Sequence, residues 1–390
     1  MGLRRILNAI SHGAHAHPLA RTLAATLVVT AVVAGGAGYR SAAATAAAAS
    51  RAAIVVTVQK YGATGDGRHN DSQAVQRAIN AVASRPGSTV YLPQGVYYCP
   101  KAIRLSSRVN LKGDGMSASW LKGHLDFASH STVSDLKIGA AKVSAIANLP
   151  GATHTTFTRV HFRGGGLSYV PVIVLGGCRG SHKGCSFITI KNSAVERNLG
   201  VETNPPSRNL NDITLLSSYI AGETVVHDIT FSHDHVGVSN GQGAWDIGSP
   251  RMAIEVWPDF VNGSGSHLTA AQTGQKPWYN VTVTHCVFEA TDWSVLDFSD
   301  QVTCDRNHQF VHSATGVVIR SNVLKGAGHR WPKAMGRITL EGPCDSTCSH
   351  NTIYQGSALG SAIQVRGWET REVKRSGNTL HRGYGPIVLP

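Results

Sequence analysis

The chain has 390 residues, with 36 Lys and Arg against 23 Asp and Glu and a formal net charge of +13. A surplus of this size favours an anionic partner such as nucleic acid, an anionic envelope or an acidic polysaccharide. No Lys/Arg-rich run and no nucleic-acid motif is present, so nucleic acid is set aside and an acidic glycan is the expected partner.

The first element is an N-terminal targeting pattern. Arg4, Arg5 and Arg21 precede an uncharged stretch of 17 residues, Thr22 to Gly38, which gives way to the small-residue run Ser41–Ser50. A basic start, an apolar centre and Ala-x-Ala cleavage options read as a secretory signal. The alternative is an uncleaved membrane anchor, for which 17 residues are marginal against ~30 Å of hydrocarbon. Residues 1–50 are therefore read as a signal peptide or anchor, and residues 51–390 as one domain outside the cytoplasm, secreted or tethered to the outer face of the membrane. Removing Arg4, Arg5, Arg21 and Arg40 takes four charges from +13, leaving +9. Export permits disulfides, so Cys178–Cys185 and Cys344–Cys348 are candidate loop closures among seven cysteines. No Cys-x-x-Cys pair with a His partner at zinc spacing occurs.

From Val58 the sequence runs Tyr61-Gly62-Ala63, Gly65-Asp66-Gly67, Asp71, then Ala74, Val75, Ala78, Ile79 and Val82 at helical spacing. The glycines suit a turn needing positive φ, and Asp71 suits the N-cap of a short helix. Val90-Tyr91-Leu92-Pro93 and Gly95-Val96-Tyr97-Tyr98 then read as strands. This stretch, about residues 54–115, resembles the N-terminal cap of the pectate-lyase superfamily of β-helix proteins. That superfamily includes polygalacturonases, rhamnogalacturonase-like hydrolases, mannuronan epimerases and phage depolymerases. The resemblance implies a right-handed helix and a polysaccharide substrate, with Asp66 and Asp71 structural.

A weak repeat fills the rest. Alternating apolar residues followed by a polar turn recur at Ile188–Ser193, Ile229–Asp234, Val281–Cys286, Val317–Asn322 and Cys348–Asn351. Alignment puts Ser193, Asp234, Cys286, Asn322, Asn351 and Asn378 in one inward polar column. Cys286 is then a buried thiol, and Cys348 points inward, against a 344–348 disulfide. The expected fold is all-β: a single-stranded right-handed parallel β-helix with a short N-terminal capping helix.

A second strand follows in each unit, and the alignment places Glu255, Asp297, Glu341 and Gln364 in one column. Stacked strands lie about 4.7–4.9 Å apart, so three adjacent carboxylates repel one another and raise at least one pKa. Three readings compete: a Ca²⁺ ion held by Glu255, Asp297 and Glu341, an acid–base pair for glycoside hydrolysis, or outward charges paired with Lys333, Arg337 or Arg366. Inserted segments around the column carry Trp245, Arg251, Trp257, Trp278-Tyr279, Trp293, His329, Arg330 and Trp331, residue types that stack on sugar rings or grip a uronate carboxylate.

The superfamily resemblance implies for a lyase a Ca²⁺ ion on acidic side chains and a basic residue as proton acceptor, here Arg330, Lys333 or Arg337. For a polygalacturonase it implies Asn-Thr-Asp, Asp-Asp, Gly-His-Gly and Arg-Ile-Lys, of which only Arg337-Ile338-Thr339 is a partial echo. The expectation is a polysaccharide lyase acting by β-elimination on an acidic glycan. A glycoside hydrolase using Glu255 and Asp297 and a non-catalytic glycan-binding scaffold are the alternatives, and no oligomeric state is implied.

Overall fold

The structure is a computed structural model and describes residues 52–140, 143–164, 172–175, 184–197, 218–222, 226–237, 252–256, 260–261, 267–268, 278–288, 296–298, 314–325, 338–341, 346–354, 362–366 and 373–382. The signal or anchor segment and its two readings lie outside these residues.

The chain folds as a right-handed parallel β-helix whose coils stack into three sheets. Sheet 1 runs from Val55–Thr57 through Thr89–Leu92, Asn110–Gly113, Cys185–Lys191, Val226–Ser232, Trp278–Thr284, Val318–Arg320 and Thr347–Ser349 to Lys374–Ser376. Sheet 2 includes the short strands Ala194–Arg197, His235–Val236, Val287–Phe288, Val323–Leu324, Thr352–Tyr354 and Thr379–His381. Sheet 3 includes Ile146–Asn148, Ile173–Leu175, Ser218–Gly222, Met252–Val256, Leu296–Phe298, Ile338–Glu341 and Ile363–Arg366. Near the N-terminus, long strands such as Ser119–Phe127 and Thr153–Gly164 turn a corner and serve two sheets each.

One capping helix, α1 (Ser72–Val82), packs on the first coil and buries Ala74, Val75, Ala78, Ile79 and Val82, the five positions that helical spacing selects. Asp71 occupies its N-cap position but makes no capping bond to the helix. Its carboxylate instead accepts from the Thr64 and Gly65 amides, at 2.8 and 3.1 Å, and so ties the glycine turn to the helix start. Gly65 and Gly67 take the positive φ that the turn requires, +67° and +75°. Asp66 accepts from the His69 and Arg68 amides, which hold its carboxyl well below the usual carboxylate range. Both aspartates are structural.

The corner between sheets 1 and 2 explains the polar column. In each coil one residue adopts left-handed backbone, φ +51° to +63°, at Asp135, Arg159, Asn192, His233, His285, Ser321, His350 and Gly377. Asn, Asp and His tolerate that region better than most side chains, and they dominate the set. The residue that follows turns inward. Ser193, Asp234, Cys286, Asn322, Asn351 and Asn378 stand one on the next, as the alignment predicts. The Ser193 amide donates to Asp234, Cys286 to Asn322, Asn322 to Asn351 and Asn351 to Asn378, all at 2.9–3.0 Å. Buried amides are thereby satisfied where the strand ladder breaks. Cys99, Cys286 and Cys348 are buried free thiols, with burial raising each to about 12. The candidate Cys344–Cys348 bridge is accordingly absent: Cys348 points into the core in register with Ile319. Cys185 is buried in its strand, and Cys178 lies outside the described residues.

Candidate active site

Sheet 3 carries the residues singled out for chemistry. Its positions Ile146, Ile173, Ile254, Leu296 and Ile338 are fully buried, and the residue that follows each forms a neighbouring file of positions. Register makes those residues one continuous column: Arg104, Asp126, Ala147, Val174, Ala221, Glu255, Asp297, Thr339 and Gln364. Glu255 and Asp297 thus occupy adjacent rungs, about 4.7–4.9 Å apart along the stack.

Glu341 does not belong to this column. Thr339 is the residue in register with Asp297 and Gln364, whereas Glu341 sits two residues farther on, opposite Arg366. Ile338 and Leu340 are both fully buried, so a slip of two residues leaves every side on its proper face. A slip of one would have exposed the core. The three-carboxylate ladder therefore contracts to a pair, and Glu341 gains a basic neighbour one rung away.

Asp126, four rungs before Glu255, was not singled out by sequence, and it shows what a paired acid looks like on this face. The His124 imidazole contacts its carboxylate at 3.0 Å, and the Arg104 guanidinium lies at 3.6 Å. Burial disfavours the charged imidazole of His124, but the Asp126 carboxylate and the Ser144 carbonyl outweigh it and hold the pKa above its usual value. Asp126 is a structural acid. Ala147, Val174 and Ala221 separate it from Glu255 with three uncharged rungs.

Trp245, Arg251, Trp257, Trp293, His329, Arg330, Trp331, Lys333 and Arg337 lie outside the described residues. Trp278 and Tyr279 do not flank the column: the strand Trp278–Thr284 belongs to sheet 1, where the Tyr279 ring stacks on His227 at 4.5 Å. Among the described residues no group of three or more His, Cys, Asp or Glu is placed to hold a metal ion.

The family described as rhamnogalacturonase A/epimerase, pectate lyase-like matches residues 55–255, just over half of the chain. The chain belongs to this family. Among solved structures, the alginate lyase from Paenibacillus sp. str. FPU-7 is similar in fold, at TM-score 0.50 and 12% identity over 85% of this chain and 98% of that one. Curated relatives match over shorter stretches. The plasmin and fibronectin-binding protein A of Streptococcus pneumoniae is 43% identical over 58 residues, 15% of this chain and 8% of that protein. Alginate lyase 7 of Azotobacter vinelandii is 38% identical over 72 residues, 17% of this chain and 8% of the enzyme. Mannuronan C5-epimerase AlgE3 of the same organism is also 38% identical over 72 residues, 4% of its length. The matched stretches span less than a tenth of each of these relatives.

Proposed function

We propose that this pectate-lyase-like chain cleaves an acidic, uronate-containing polysaccharide by β-elimination, with Glu255 and Asp297 at the reacting centre. The observation that supports the site is the register of those two acids on adjacent rungs of sheet 3. The substrate class is supported by the basic chain and by relatives named alginate lyase and mannuronan epimerase. β-Elimination removes the proton beside a uronate carboxyl, so it requires that carboxylate to be neutralised and a base to be held at the adjacent carbon. Glu255 and Asp297, with the Thr339 position one rung on, offer the hard oxygen donors that Ca²⁺ takes. The two acids would hold such an ion, and Glu341, off the column, leaves the set. A bound Ca²⁺ supplies the positive charge that offsets the uronate carboxylate. Arg337 immediately precedes Ile338, which is in register with Leu296 beside Asp297. Arg337, the nearest in sequence to that strand, is the candidate base or clamp on the substrate carboxylate, ahead of Arg330 and Lys333. Export, through the N-terminal segment, would bring the enzyme to such a polymer.

A hydrolase is the second reading, favoured by the rung spacing itself. Carboxyl groups about 5–5.5 Å apart belong to retaining glycosidases, with one acid as nucleophile and the other as acid–base. A non-catalytic scaffold draws its support from the stretch shared with the pneumococcal binding protein. The chain from Arg51 onward, incubated with alginate, polygalacturonate and neutral glycans with and without EDTA, separates the three. New ultraviolet absorbance rising with reducing ends means elimination, reducing ends alone mean hydrolysis, and binding without new ends means a scaffold.

A further inference from the structure

The outer face of sheet 1 carries a feature that the acid column does not use. An open groove of about 730 Å³ crosses five rungs, lined by His154 and Thr156, Phe187 and Thr189, Asp228 and Thr230, Asn280 and Thr282, and Gly316 and Val318. At the rung spacing it is about 19 Å long. Its volume falls in the range of small-ligand sites, which are mostly apolar with a few convergent polar groups.

Two columns build it. The floor is a ladder of threonines, Thr156, Thr189, Thr230 and Thr282, in register from coil to coil. Their hydroxyls make no hydrogen bond among the described residues, although each can donate and accept. The wall is the second left-handed column of the fold, where His154, Phe187, Asp228, Asn280 and Gly316 all have φ between +52° and +63°. Left-handed backbone at those positions puts two successive residues on the outer face before the strand resumes its alternation. Rings stack along this wall: His154 on Phe187 at 4.5 Å, Phe187 edge-on to His227 at 5.8 Å, and His227 on Tyr279 at 4.5 Å. Of these rings His154 and Phe187 line the groove, and the row runs on past it through His227 and Tyr279. Phe187 is 46% exposed there. Mid-groove, Asp228 accepts from Asn280 at 3.1 Å and contacts His227 at 2.6 Å, so its carboxylate is held in place.

We propose that this groove is a second glycan site, which takes a neutral, hydroxyl-rich oligosaccharide lying along the helix axis. The ligand class rests in part on the polysaccharide reading above. Hydroxyls on four successive rungs match a polymer that itself repeats hydroxyls at about that rise, while threonine methyls and the His154 and Phe187 rings meet its C–H groups. Charge selects the neutral class: the lining holds one carboxylate and no Lys or Arg, so a uronate chain meets repulsion at Asp228. Lys191 and Arg320 stand one outward column away and do not line the groove. The site holds a neutral glycan while the acid pair on sheet 3 works on an acidic one.

Calorimetric titration with cellohexaose, mannohexaose and a mannuronate hexamer tests this. A neutral hexamer is expected to bind the wild-type chain. The triple variant Thr189→Val, Thr230→Val, Thr282→Val keeps β-branched shape on exposed strand positions and should weaken that binding at least tenfold. Thr230→Val alone should weaken it about threefold, so the result does not depend on the triple variant folding. Glu255→Gln with Asp297→Asn should leave it unchanged. Absence of binding by both neutral hexamers overturns the proposal, as does equal affinity in Thr230→Val or loss of binding in the acid-pair variant. Cleavage of alginate with an inert groove would leave the catalytic reading standing alone, and a binding groove without cleavage would do the reverse.

Discussion

At the scale of single residues, the inward ladder is where sequence and energetics meet most directly. Asn351 accepts from the Asn322 amide at 3.0 Å and donates to the Ile319 carbonyl at 3.1 Å, fully buried. Asn351→Ala leaves those groups unpaired at about 1–3 kcal/mol each, so urea denaturation should show a clear fall in midpoint. Asp234 occupies the same ladder with a carboxyl, and burial pushes its pKa up to about 8 against the two amides that donate to it. Between about 4 and 8 the folded state therefore holds a proton that the unfolded chain has lost, and stability falls as pH rises through that window. Above about 8 the loss is complete. Asp234→Asn, uncharged throughout, should flatten this dependence and raise the melting temperature at pH 8 relative to the native chain. An unchanged slope would mean that Asp234 is charged in the fold. The ladder was legible because its residues recur after the same apolar pair. The role of Asp71 was not, because its partners Thr64 and Gly65 precede it in a turn whose closure only the folded cap defines.

At the scale of strands, register decides what the acids can do. Sequence alignment found Glu255 and Asp297 as neighbours, since each follows a buried aliphatic residue in a short strand. It misplaced Glu341 because Ile338-Thr339-Leu340-Glu341 offers two equivalent buried positions, and periodicity alone carries no information about a two-residue slip. It also missed the short sheet 2 strands after the ladder, such as His235–Val236 and Val287–Phe288, which are too brief to show a period. Among the acids of sheet 3, Asp126 is paired with His124 and Arg104. Asp126→Asn, which loses only the His124 and Arg104 contacts, should lower stability slightly and leave turnover within about twofold. Glu255→Gln and Asp297→Asn should each lower turnover by about 100-fold or more with little change in melting temperature. Initial rates and thermal melts on the three variants check the division, and equal loss of turnover in all three would contradict it.

At the scale of the molecule, the β-helix is a stack in which each coil buries its apolar face only against its neighbours, so the ends need covering. Helix α1 does this at the first coil, and a chain lacking residues 53–84 should expose that edge and elute from size-exclusion columns as larger species. The same stacking carries a column of outer positions past every coil, and this is how one fold brings an acid pair together on sheet 3 and a hydroxyl ladder on sheet 1. Under the proposed function, Glu255 and Asp297 carry a β-elimination on an acidic glycan. Ultraviolet absorbance during incubation with alginate and polygalacturonate, followed beside reducing ends for the native chain and Asp297→Asn, tests it most directly. Absorbance and reducing ends should rise together in the native chain, and both should fall at least 100-fold in the variant. Reducing ends without absorbance, or a variant as active as the native chain, would contradict it.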